Sequence, residues 1–501
     1  MLVVLTSALG DAPQSLARIE PIVVTSKPAK AHAVLLIMDE LPSDSLLDGR
    51  GRIDPVRYPN FAALAADSTW FRNGYSIYDS TTKAVPLILD GMWPRSGSSP
   101  DRGGHPRSVF DMFRRRGYRM VASEEASALC PPRMCRGGRA RKPAILPLLN
   151  RGRPRRFNRW VRKIEDGPPT FWMKHVLLPH MPYVYLPSGA RTRPGGPDPL
   201  PGMTTVPGFH DEYLTRHNEQ RYLLQLGYTD RLLGRLLRRL KSQGIYDDTL
   251  IVVVADHGYM WRSGVETRRR ALAGTAHEVS PVPFIVKRPG QRRGRVSAAY
   301  ARTLDVPSTI ADVLGARLGY KDDGRSAFSR AARRTRRVTF PTRDFDAVVT
   351  VPGRRWQAQR RRVVRRRLRQ LGSGHISSLY TGIGPNRELL GRDVAGIARS
   401  AGSGGGGTIA HGELLSKVRR SSGVLPTQIT GLLRGGSGGP RDLAVAVNGQ
   451  IAAVGRSFWL AGRPSESFAF MVPEDALREG RNSVEVFEVV GGSRLHLLAR
   501  R

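Results

Sequence analysis

Cysteine is almost absent. The chain of 501 residues has two, Cys130 and Cys135, which excludes a disulfide-stapled scaffold of the kind small secreted domains need. The pair sits in LCPPRMC, across a Pro-Pro turn. That spacing suits either one local disulfide, and with it an oxidising, extracytoplasmic site, or two free thiols. Long apolar runs are also missing. MLVVLTSAL at the start is too short to span a bilayer and has no basic residue before it, so it makes a poor signal peptide. No other run approaches spanning length. Acidic residues are scarce: 42 against 80 lysines and arginines, a net charge of +38.

The excess base is mostly arginine, clustered in RGRPRRFNRWVRK (151–163), TRRRA (267–271), AARRTRRV (331–338) and QRRRVVRRRLRQ (359–370). Such a surface attracts anions. No nucleic-acid-binding motif occurs and, apart from Phe157 and Trp160 in the first run, no aromatics interleave with the basic runs, so specific nucleic-acid recognition is the least supported partner. An anionic membrane surface, or a phosphate- or sulfate-bearing substrate such as a lipid or cell-wall polymer, fits better. A solvated arginine coat without a partner is the bland reading.

What is present is a strand–helix rhythm. With 40% apolar residues the chain can build real cores, and its length asks for one large domain and at least one smaller one. VLLIMDE, TFWMKHVLLPHMPY and DDTLIVVVADHG hold continuous apolar runs, apolar on both faces, as central strands of a mostly parallel sheet do when helices sandwich it. The stretch 212–244 repeats Leu and Tyr at helical spacing and ends at Gly244, which predicts a long covering helix. We expect a tail over 1–31, an α/β domain over 32–330, a basic and Gly-rich connecting region over 331–419, and a small antiparallel β-sandwich over 420–501. The last rests on alternating strands and the hairpin signal Asn448-Gly449.

Candidate chemistry lies where the apolar strands end. Asp39 and Glu40 close the first, and Asp256-His257-Gly258 closes DDTLIVVVADHG; glycine there would let the chain turn sharply. Thr81 stands in a polar turn ahead of an apolar helix ending at Gly91, which aims a hydroxyl and free helix N–H groups at one spot. Taken singly, each is more readily a cap or turn residue. Together, Asp39, Thr81, Asp256 and His257 make a mixed oxygen and nitrogen site able to hold one divalent metal ion, Mn, Mg, Ca or Zn. Such an ion would lower the pKa of the hydroxyl it binds.

The order VLLIMDE, TTKAVPLILDG, LPHMPY, DDTLIVVVADHG, VPFIVKRPG and LDVPSTIADVLG, over about 32–327, resembles the sulfatase-like branch of the alkaline phosphatase superfamily. The resemblance implies an alkaline phosphatase-like fold, Asp39, Thr81, Asp256 and His257 as metal ligands, and Thr81 as nucleophile. His180 and His277 would lie on the substrate side, holding the transferred group or protonating the leaving oxygen. Sulfatases use a cysteine or serine oxidised to formylglycine. Here, ten residues before Gly91, that place holds Thr81, and the arginine's place holds Val85; Thr81 over Thr82 rests on that count. The pattern T-x-x-A-V-P is similar to the threonine turn of phosphoethanolamine and glycerol-phosphate transferases, which pass through a phosphothreonine. The resemblance thus implies a metal-dependent hydrolase or phosphotransferase of phosphate esters or diesters, with sulfuric ester hydrolysis as the alternative. Glu40 or His277 could complete a second cation site, and Lys83 could help to position an anion. A non-catalytic, anion-binding cell-surface protein is the reading from outside enzymes. Relatives of this kind often carry membrane helices ahead of the catalytic domain; either this protein works without them or MLVVLTSAL is the remnant of such a segment, and an extracytoplasmic or membrane-associated location is expected.

Overall fold

Eight consecutive buried residues, His32–Asp39, form the strand around which the large domain is built (β1). The computed structural model describes residues 31–132, 134–135, 148–149, 152–194, 211–265, 267–381, 383–401, 405–435, 438–460 and 464–501. MLVVLTSAL and the first half of the glycine run 402–407 lie outside them. With β2 (Thr69–Phe71), β3 (Arg119–Ser123), β4 (Thr170–Pro179), β5 (Thr249–Ala255), β6 (Phe284–Lys287) and β7 (Arg295–Ser297), β1 makes a seven-stranded sheet in the order β3-β4-β1-β5-β6-β2-β7. Four of the neighbouring pairs are parallel, and β6 runs antiparallel to both of its neighbours.

The apolar runs are on both faces because both faces are covered. One apolar cluster holds Val34, Leu36 and Met38 with Trp172 and the long helix Glu212–Ser242. The other holds Ala33, Leu35 and Ile37 with the helices Thr81–Asp90 and Val109–Arg115. Asp211 caps the long helix by accepting the Leu214 N–H. Further along it, Asp230 accepts the N–H groups of Asn60 and Phe61, and so caps the neighbouring helix Pro59–Ala65 from outside.

Beyond the sheet, the hairpin Arg337–Pro341 with Val348–Pro352 leads into the basic helix Gly353–Leu371. That helix packs back on the large domain: Arg360 grips the Asp44 carboxylate, and Arg367 donates to the carbonyls of Asp44 and Leu47. The C-terminal part is two four-stranded antiparallel sheets. The first of their strands, Gly406–Ile409, starts inside the Gly-rich stretch, upstream of residue 420. Tyr213 on the long helix reaches this sandwich by donating to the Ala469 carbonyl. No described helix is long and apolar enough to cross a membrane. Cys130 and Cys135 are joined as a disulfide, their Cα atoms 6.1 Å apart.

Candidate active site

Register alone brings two carboxylates together. β1 and β5 are parallel neighbours with Met38 opposite Ala255, so the next residues, Asp39 and Asp256, leave the same edge of the sheet side by side. The Asp256 N–H donates to the Met38 carbonyl at 3.0 Å, and Asp256 Oδ1 accepts the N–H groups of Glu40 at 3.0 Å and His257 at 2.7 Å. The chain bends sharply at Glu40, whose φ of 57° is left-handed backbone carried by a residue that rarely adopts it. Such strain costs on the order of 1–3 kcal/mol and concentrates at functional sites.

Gly258 is required for a reason other than the expected sharp turn. Its backbone is not left-handed; a Cβ there would stand 2.7 Å from the Val279 carbonyl oxygen. The chain passes too close to the turn 276–279 for any side chain.

Thr81 is the first residue of the helix Thr81–Asp90, after Ser80. Its buried hydroxyl stands 3.2 Å from His257 Nε2, while Thr82 is half-exposed. The other ring nitrogen, His257 Nδ1, is 2.9 Å from the Gly258 carbonyl, which can only accept; Nδ1 therefore carries the proton and Nε2 presents a lone pair. Burial holds the His257 pKa down at about 3, with Arg269 acting in the same direction, so the ring is neutral. Among the described residues, Asp39, Asp256 and His257 form a group whose ligand atoms all lie within 4.8 Å of one another.

The electrostatics of this group are those of a site short of positive charge. Burial, then repulsion from Asp256 and Glu40, pushes the Asp39 carboxyl well above its usual range. Burial likewise raises Asp256 to about 7. Asp39 Oδ1 and Glu40 Oε2 are buried without a hydrogen-bond partner, which is costly unless something not among these side chains completes them. Two carboxylates, an imidazole lone pair and a hydroxyl suit a divalent cation of hard to borderline character, so the residues present fit such an ion.

Glu40, beside this group, also meets cations that the sequence reading did not connect to it. Arg268 donates to Glu40 Oε1 at 3.0 Å, and Arg269 lies 3.5 Å from the same oxygen. Burial opposes ionisation of Glu40, yet Arg268, His180 and Arg269 hold its pKa down at about 2. Arg268 also lies over the Tyr259 ring, 5.5 Å from its centroid. The loop carrying both arginines is tied to the threonine turn through Asp79, which accepts the Ala271 N–H and the Arg343 side chain. In the sequence TRRRA is one basic cluster among four, and nothing local sets it apart.

His180 joins the same group. Its Nδ1 donates to the Met181 carbonyl at 2.7 Å, leaving Nε2 3.4 Å from Glu40 and 3.5 Å from Arg268. His175, one strand over, brings Nε2 to 3.7 Å from Asp39 Oδ2. His277 stands elsewhere: its Nε2 is 3.4 Å from Arg262 and 3.7 Å from Glu278. Lys83 turns outward, donating to the Arg95 and Ser98 carbonyls.

Residues 155–316 match the family model of the Sulfatase family. The multifunctional alkaline phosphatase superfamily protein PehA of Trinickia caryophylli is 30% identical over 118 residues, 23% of this chain and 22% of the relative. The ulvan-active sulfatase of Formosa agariphila is 25% identical over 159 residues, 32% of this chain and 29% of the relative. In each case the match spans less than a third of the curated relative's length. The phosphonate monoester hydrolase of Silicibacter pomeroyi aligns with 62% of this chain and 79% of its own at a TM-score of 0.45 and 21% identity. Over these stretches the chain is similar to sulfatase-like members of the alkaline phosphatase superfamily.

Proposed function

We propose that this chain is a divalent-metal-dependent hydrolase or phosphotransferase of phosphate esters or diesters, with Thr81 as its nucleophile. The observation that carries the reading is the Thr81 hydroxyl 3.2 Å from a neutral His257 Nε2, beside the buried carboxylates of Asp39 and Asp256, each with one oxygen that has no hydrogen-bond partner. Asp39, Asp256 and His257, with Thr81 Oγ1, would hold the ion. When bound, it supplies the positive charge that lets a threonine alcohol ionise near neutral pH.

The side chains then divide the work. Thr81 Oγ1 forms the new bond to phosphorus as the bond to the ester oxygen breaks, giving a phosphothreonine and an alcohol. Arg268 and Arg269 hold the non-bridging oxygens through charge-assisted hydrogen bonds. His180, its Nδ1 proton committed to the Met181 carbonyl and its ring kept neutral by burial, would hold the transferred group or protonate the departing oxygen through Nε2 only once it takes up a second proton. His277, which stands beside Arg262 and Glu278 and away from the Asp39–Asp256–His257 group, has no place in this step. Attack by water on the phosphothreonine completes hydrolysis; attack by an acceptor alcohol completes transfer.

Sulfate ester hydrolysis is the second reading, supported by the match to an ulvan-active sulfatase. Against it stands Thr81 itself, because a threonine cannot be oxidised to the formylglycine aldehyde. An extracytoplasmic location, which the Cys130–Cys135 disulfide suits, remains part of the proposal. The test is a panel of aryl phosphodiesters, phosphomonoesters and sulfates, assayed with and without chelator and with Thr81→Ala. Phosphate ester turnover that both treatments abolish supports the proposal; turnover that survives both, or turnover of sulfates alone, overturns it.

A further inference from the structure

The helix Gly353–Leu371 carries nine arginines and no acidic residue. Three turn inward, where Arg360 meets Asp44, Arg366 meets Glu278, and Arg367 meets backbone carbonyls. The other six, Arg354, Arg355, Arg361, Arg362, Arg365 and Arg369, are exposed, and no acidic or hydrogen-bond partner is found for their side chains among the described residues. Arg354, Arg361, Arg365 and Arg369 recur at helical spacing, so their charges line one face of a rod roughly 28 Å long. Like charges in such a row repel and weaken the helix unless something anionic lies along them.

Beside this row runs a groove of about 230 Å³, between the helix and the segment Asp48–Gly51, to which Arg50 and Arg72 add two further exposed guanidinium groups. Its two acidic residues are matched already, Asp44 by Arg360 and Asp48 by Arg52. Gln357 also lines it, with its amide nitrogen donated to Asn73 and Tyr300 and its oxygen left to accept from a ligand hydroxyl.

From this arrangement we propose that the helix face and its groove bind a linear polyanion carrying sulfate or phosphate esters on a hydroxylated sugar or polyol backbone. The row of charges matches a repeating anion, and the groove accepts its hydroxyl-bearing units. A bilayer is a poor occupant, because the apolar side of the helix, Trp356, Val364 and Leu371, is buried against the domain and has nothing to insert. A nucleic acid is a poor one too: Trp70, the aromatic residue lining the groove, is 6% exposed and offers no face for base stacking. Binding here does not depend on the chemistry at Thr81 and is measured without it.

The test uses the full chain with Thr81→Ala, titrated with dextran sulfate, phosphorylated dextran, neutral dextran, an oligothymidylate and phosphatidylserine vesicles at rising salt. Binding to one or both charged dextrans and not to neutral dextran is expected, and the tighter of the two identifies the ester. Replacing Arg354, Arg361 and Arg365 together by glutamine should weaken that binding about tenfold or more and lower the salt slope by roughly 0.7–0.9 per arginine in contact. The triple lysine variant should restore most of it, which separates lost charge from lost folding. Undiminished binding and slope in the glutamine variant, or tighter binding to vesicles or oligothymidylate than to either charged dextran, overturns the proposal.

Discussion

Thr81 Oγ1 and His257 Nε2 face each other at 3.2 Å although 176 residues separate them along the chain. One lies at the first turn of a helix and the other just past a sheet strand, and the hydroxyl proton is shared with a ring nitrogen whose lone pair the Gly258 carbonyl leaves free. If that hydroxyl is the nucleophile, Thr81→Ala should lower kcat on the order of 10³-fold or more with little change in KM. Thr81→Ser should keep part of the rate, and Thr82→Ala should stay near wild type. Steady-state kinetics on one aryl phosphodiester measures all three.

Metal binding should register in stability as well as in turnover. Asp39, Glu40 and Asp256 crowd their charges in a buried site, so a cation that binds the folded state should raise its unfolding free energy by about 2.7 kcal/mol at a hundred times its Kd. Asp39→Asn removes one of the repelling charges. It should make the metal-free protein more stable and abolish the stabilisation by added metal, as differential scanning calorimetry with and without chelator would record.

Arg268 and Glu40 form a buried pair, so removing one member strands the other. Arg268→Ala should cost about 3–5 kcal/mol, and pairing it with Glu40→Gln should recover much of the loss. A double-mutant cycle in urea tests this. Because Arg268 also faces the site proposed for the anion, Arg268→Lys should raise KM even where stability is kept.

How far the sequence revealed this site follows from what each residue depends on. Asp39 and Asp256 were legible because an apolar run ending in a carboxylate is a local pattern, and parallel pairing does the rest. Thr81 was legible through its place ahead of an apolar helix. Arg268 and Arg269 were not, because they reach Glu40 through a loop held by Asp79, nearly two hundred residues upstream, and a basic cluster looks the same whether it faces solvent or a buried carboxylate. The long helix and the C-terminal strands followed from periodicity. The packing of the basic helix 353–371 did not: its inward arginines Arg360 and Arg367 look like their solvated neighbours in the sequence.

Acid should unfold the large domain partly through Glu125. Burial alone would raise this carboxyl, but Lys174 and Arg156 hold it at about 2. Burial also lowers the Lys174 pKa despite the pairing, so the prediction rests on Glu125, the side of the pair held by two cations. A carboxylate depressed on folding contributes stability that is full above its unfolded value of roughly 4.3 and is lost as pH falls toward about 2. Glu125→Gln should therefore be less stable at neutral pH and show a flatter decline across that window in urea unfolding at stepped pH.

The most direct test of the central claim is mass spectrometry of the enzyme quenched during turnover of a phosphodiester, with the modified peptide sequenced. The account predicts a phosphoryl group on Thr81, absent from Thr81→Ala and from chelated protein. An unmodified Thr81 under conditions where turnover is fast, with the phosphoryl group on another side chain, would contradict it.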